Sequence, residues 1–289
     1  MKYQEFVTKV KKFLEQRLGE DYEISIQSVV KVNDMNRCGI NIREKKVHIS
    51  PTIYLEEYYK KYQNGMDFEK IITDIILLYN HAKMREIFDV ENFNIFPVVK
   101  EKIMLKLLNL KKNKEFLRTV SYIPFSDFAI VFYILLEDNV EEYSTITVTN
   151  QMLDVWNITK HDLFRIAKEN TQQLMPFNFI PLSNKLADLI GNDIEEESCM
   201  YVLSNEKFTF GASCILYDDM LDYIRQQLRE SFYLIPSSIH EWIVLPKSVA
   251  PAEADINSMI TEVNQFVVKK EDILGEYCYT YESLKKELI

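Results

Sequence analysis

Side chains capable of covalent or acid–base chemistry crowd together at one place in this sequence. The stretch SFYLIPSSIHEWIVLP, Ser231 to Pro246, brings Ser237, Ser238, His240 and Glu241 close along the chain. A serine hydroxyl, an imidazole and a carboxylate can act as nucleophile, general base and orienter. A hydrolase or transferase built here would use Ser237 or Ser238 as nucleophile, His240 as base and Glu241 as orienter, helped by a distant side chain such as Asn205 or Asn150. The spacing argues against that reading, because triads are normally assembled from separate parts of a chain and recognised by geometry. Neither a Gly-x-Ser-x-Gly elbow nor a His-Glu-x-x-His motif occurs. The competing reading is a structural turn between two strands.

In an extended chain the period of two places Ser238, His240, Trp242 and Val244 on one side and Ile239, Glu241, Ile243 and Leu245 on the other. Glu241 then interrupts an apolar row, so it must be paired, lie at a rim or carry a raised pKa. Pro236 marks a strand end or a bulge, and a bulge would turn His240 toward the core.

The 289 residues, 47% of them hydrophobic, are enough for one large domain or two ordinary ones. The net charge of −10 is uneven: residues 1–144 hold 22 Lys plus Arg against 22 Asp plus Glu, and residues 145–289 hold 12 against 22. The acidic half does not suit nucleic acid, which needs clustered cations. The basic run Lys100, Lys102, Lys106, Lys111, Lys112, Lys114 and Arg118 alternates with Ile103, Leu105, Leu107 and Leu108 and reads as a solvated face. No apolar run is long enough to cross a membrane, and the N-terminus MKYQEFVTKVKKFLEQ is charged throughout, unlike a signal peptide. Cys38, Cys199, Cys214 and Cys278 are far apart with no Cys-x-x-Cys spacing, which predicts no metal, no cofactor and a cytoplasmic setting.

Along the chain, Phe6, Val7, Val10, Phe13 and Leu14 stripe a first helix stopped by Gly19. Glu23–Val32 and Cys38–Arg43 form a hairpin around NDMNR. After a break at Ser50 and Pro51, TIYLEEYYKKY reads as a helix on which Tyr58, Tyr59 and Tyr62 form an aromatic face, for packing or for binding a partner. A helix from Asp67 carries Ile71, Ile72, Ile75 and Tyr79, with His81 beyond it near the helix carbonyls. Phe93–Leu117 reads as a helix followed by a strand. Phe128–Leu136 and Tyr143–Thr149 form an antiparallel pair, the first of them central in its sheet. Trp156 anchors a helix capped by Thr159 and Asp162. Pro176–Pro181 reads as a linker, a short helix ends at Gly191, and DIEEES is a charged loop. MYVLSN and GASCIL read as strands, and GASCIL, a helix and FYLIP suggest a parallel crossover. A last helix carries Ile256, Met259, Ile260 and Val263, and CYTY offers a terminal strand.

SPTIYLEEYY, DFAIVFYILLED, MYVLSN with FGASCILY, and LIPSSIHEWIVLP, taken together and in this order, resemble a domain-of-unknown-function family of Gram-positive, largely gut, bacteria. The resemblance covers nearly the whole chain. It implies a cytoplasmic bacterial protein and carries over no catalytic residue.

The expected fold is α+β. Residues 1–120 form a helix-rich lobe with a small hairpin, and residues 121–289 form a mixed β-sheet with helices mainly on one face. The boundary is soft, with one continuous domain as the alternative. The expected function is a non-catalytic protein-interaction or regulatory module, with Tyr58, Tyr59, Tyr62, Trp156 and Trp242 as candidate contacts and an unknown protein partner. The alternative is the small hydrolase or transferase at Ser237, Ser238, His240 and Glu241.

Overall fold

A computed structural model of the chain describes residues 1–45, 52–85, 93–139, 142–191 and 198–288. It is α+β and falls into two compact units, Met1–Lys31 with Met35–Ile95, and Val32–Asp34 with Phe96–Ile289. Residues 96–120, read above with the first lobe, are thus counted with the second unit.

In the first unit helix α1, Tyr3–Leu18, stops at Gly19, whose φ of 79° suits a residue without a Cβ. Strands β1, Tyr22–Lys31, and β2, Met35–Glu44, make the expected hairpin. The break expected at Ser50 and Pro51 lies outside the described residues. Thr52–Tyr54, expected to be helical, instead forms strand β3 on the edge of β2, and helix α2 is confined to Glu56–Gln63. The β-branched Thr52 and Ile53 favour the ladder. Helix α3, Phe68–Arg85, starts at Asp67, whose carboxylate accepts from the Glu69 and Lys70 amides, and it continues beyond His81. Phe6, Val10, Leu14, Ile40, Ile42, Ile71 and Ile75 are among the residues of the core between helices and sheet.

The second unit opens with short helix α4, Phe96–Val99, and strand β4, Ile103–Asn109. Strands β5, Tyr122–Phe125, β6, Phe128–Asn139, and β7, Glu142–Thr147, follow. β6 is the hub of this sheet, paired with β4, β5 and β7. That is why Phe128–Ile134 is apolar on both faces. Helices α5, Asn150–Trp156, and α6, Lys160–Leu174, come next, and the Thr159 hydroxyl accepts from the Asp162 amide as expected. Lys106 corrects the reading of the basic run as a solvated face. It is buried in β4 with its ammonium 4.6 Å from the Phe210 ring centroid.

A second sheet has the order β12-β10-β11-β9-β8. Its strands are β8, Phe177–Pro181, β9, Tyr201–Asn205, β10, Phe232–Ser238, β11, Glu241–Pro246, and β12, Tyr279–Thr280. Helices α7, Leu182–Ile190, α8, Met220–Leu228, α9, Glu253–Phe266, and α10, Tyr281–Leu288, surround it. Pro176–Pro181, expected as a linker, is the edge strand β8, where prolines at both margins cost little pairing. DIEEES lies outside the described residues except for Ser198.

Every strand pairing among the described residues is antiparallel. The parallel crossover fails because GASCIL is not a strand: Gly211–Leu216 is a buried 3₁₀ segment. Phe208 and Phe210 both have left-handed φ, of 49° and 53°, which turns the chain back over β9. A Cβ on Gly211 would sit 2.2 Å from Ser204 Oγ and 2.6 Å from both the Asn205 amide nitrogen and the His240 carbonyl oxygen. Two of those atoms are backbone and cannot swing aside. Gly211→Ala is therefore expected to lower stability by about 3 kcal/mol or more, at the upper end of overpacking costs. Urea unfolding measures it, and an unchanged midpoint would show that the segment can move away.

Candidate functional site

The Ser231–Pro246 stretch is a hairpin whose two strands meet at Ile239 and His240, with a register shift between Pro236 and Ser238. The bulge inferred from Pro236 is there. Facing pairs Pro236 with Trp242 and Leu234 with Val244 point into the unit's core. Ile235 with Ile243 and Tyr233 with Leu245 point the other way.

The four residues with catalytic potential split: Ser237 and Glu241 bond to each other, while the His240 ring turns to Phe210 and Asp272. The His240 Nδ1 accepts from the Phe210 amide at 3.1 Å, so the neutral ring carries its proton on Nε2, which lies 3.5 Å from Asp272 Oδ1. The ring is stacked on Phe210, with centroids 5.7 Å apart. Ser238 Oγ accepts from the His240 main-chain amide, a turn contact. Ser237 Oγ donates to Glu241 Oε1 at 3.3 Å, and Glu241 Oε2 is paired with Lys185. Glu241 thus has the partner that its place in an apolar row demands. A serine bonded to an ion-paired carboxylate has no imidazole to take its proton, and the imidazole present is engaged by Phe210 and Asp272. Asn205 caps its own loop, accepting from the Lys207 and Thr209 amides, and Asn150 donates to the Arg118 carbonyl.

The aromatic candidates lie largely inside. Trp242 is fully buried, donates to the Ala212 carbonyl at 2.7 Å and meets Phe128 edge-on at 5.5 Å. Trp156 is buried against Phe96. Tyr59 packs on Tyr3 and Phe6, Tyr62 packs on Phe6, and Tyr58 is half-buried on the same core.

A different feature opens on the far face of the hairpin. An apolar groove of about 500 Å³ is lined from the sheet by Ile235, Ile243 and Leu245, with Ser237 beside them. Helix α9 contributes Ile256, Met259, Ile260, Val263 and Asn264, and Leu182, Cys199 and Met200 are among the other lining residues. Ile256 and Ile260 are buried, whereas Met259 is 60% exposed. At the end of the helix Phe266 and Val267 are 75% and 76% exposed. Half of the sequence stripe on α9, Ile256 and Ile260, is core. The signal for the other half is the apolar run Phe266, Val267, Val268, which extends the hydrophobic surface beyond what one buried face needs.

Among the described residues no cluster of His, Cys, Asp and Glu has metal-binding geometry, and no helix is long and apolar enough to cross a membrane. Burial pushes the Cys214 thiol up to about 12 and also raises Cys38 and Cys278. Cys199 is exposed at the groove. A disulfide-exchange reagent at mildly alkaline pH is expected to modify Cys199 rapidly, the partly buried Cys38 more slowly, and Cys214 and Cys278 only on unfolding. Equal rates for all four in the native protein would contradict this burial pattern.

A scan of family models finds a family of unknown function, DUF5688, matching residues 3–283, so the chain belongs to that family. No curated protein matches. No solved structure matches either.

Proposed function

Since membership of this family assigns no chemistry, we propose from geometry that the protein is a non-catalytic interaction module of the bacterial cytoplasm. Its contact surface is the groove between α9 and the outer face of β10–β11. One observation carries the reading: an apolar cavity of about 500 Å³ has the exposed side chains Met259 and Val263 in its lining, and the same helix ends in the exposed Phe266 and Val267. Concave apolar sites with few polar groups are where ligands and partner anchors are held. A contiguous exposed apolar surface is costly in water unless something covers it.

The engagement of the His240 ring by Phe210 and Asp272, with neither serine bonded to it, favours this reading over the hydrolase. The hydrogen bonds of Ser237, Ser238, His240 and Glu241 hold a turn, and Ser237 alone among them lines the groove.

The test is a photo-cross-linking residue, p-benzoylphenylalanine, introduced at Met259 in the cells that make the protein, with the same residue at exposed Glu101 as control. The proposal expects a discrete adduct from position 259 and none from 101. A folded protein that gives no adduct at 259 would remove the interface reading.

A further inference from the structure

Helix α9 carries Glu253, Asp255 and Glu262 and no Lys or Arg. Positions 255, 259, 262 and 266 follow helical spacing, so the exposed stripe beside the groove reads Asp255, Met259, Glu262, Phe266. No cation among the described residues pairs with either carboxylate of that stripe. The neighbouring stripe, Ile256, Ile260, Val263 and Val267, passes from buried groove wall to exposed surface at its C-terminal end. Apolar anchors and negative charges therefore alternate along one accessible ridge. Lys269 and Lys270 follow only after the helix has ended.

We propose that the occupant of this groove is a basic amphipathic helix, whose apolar face fills the space over Ile235, Ile243 and Leu245 while its Lys or Arg side chains meet Asp255 and Glu262. The inference rests on the interface reading above and adds the partner's chemistry. A helix suits the site because a groove of this kind takes anchors at i, i+3, i+4 and i+7 along one partner face. Met200 and Met259 supply unbranched side chains that adjust to such anchors. A second copy of this chain is disfavoured by the same charges, since two α9 ridges brought together would set carboxylates against carboxylates without a compensating cation on either helix.

The experiment titrates the full chain with three short, labelled amphipathic peptides that share a Leu/Met face and differ in carrying Lys, Gln or Glu beside it, read by fluorescence anisotropy. The Lys peptide is expected to bind about tenfold more tightly than the Gln peptide, with the Glu peptide weakest. That advantage shrinks as salt is raised, because exposed charges are screened. The Asp255→Lys, Glu262→Lys double variant reverses the order, and Met259→Asp weakens all three peptides. The peptide is also expected to slow modification of Cys199, a readout confined to the groove.

Equal affinity for the Lys and Glu peptides, or no binding by any, overturns the proposal. So does a concentration-dependent dimer in sedimentation that Met259→Asp abolishes, which would make a second copy the occupant. An apolar small molecule that co-purifies in stoichiometric amount and blocks the Lys peptide overturns it too. If the adduct at position 259 still forms in any of these cases, the interface reading stands and only the partner's class is wrong; if the adduct is absent as well, both fall.

Discussion

A β-sheet has two faces, and a protein that buries a tryptophan completely on one of them must still decide what to do with the other. Here the inner face of β10–β11 is closed by Trp242, which packs edge-on against Phe128 and donates to the Ala212 carbonyl. That hydrogen bond requires the Gly211–Leu216 segment to lie directly against the strands. The close approach requires a residue without a side chain, and Gly211 provides it. With Trp242 fixed inward, the alternation of the strand fixes Ile243 and Leu245 outward. The apolar floor of the groove follows from the packing of the core.

The outer face is covered by α9, but incompletely. Ile256 and Ile260 reach the sheet and are buried with Leu245 and Cys278, while Met259 and Val263 remain in contact with solvent at the rim. Burying an additional Leu- or Met-sized side chain from a partner would contribute about 1.5–3 kcal/mol each before the cost of association. A few anchors of that size suffice for a regulated, reversible contact. The Ser237–Glu241–Lys185 network stands beside the groove and satisfies a carboxylate that would otherwise be stranded in an apolar row.

Much of the fold is legible from the sequence. The stripe on α1, the hairpin of β1 and β2, the Thr159 cap and the central position of β6 all follow from period, turn residues and capping chemistry. The pairing of Glu241 follows from its interruption of an apolar row, although its partner Lys185, 56 positions away, carries no local signal. The reading of GASCIL as a strand goes wrong because its composition suits a buried strand as well as a buried 3₁₀ segment. The left-handed turns at Phe208 and Phe210 are set by tertiary contacts that composition does not reveal. The groove is hidden for a similar reason. A helical stripe shows which residues are apolar, and only the placement of α9 on its sheet shows which of them remain uncovered.

The measurement that bears most directly on the account is hydroxyl-radical footprinting of α9, carried out in parallel on the purified protein and in the cells that produce it. If the groove is an occupied interface, Met259 and Phe266 are modified readily in the purified protein and are protected in the cell, while exposed Leu174 on α6 is modified alike in both. Equal modification of Met259 and Phe266 in the two settings would contradict the account, because the apolar ridge would then face water where the protein works.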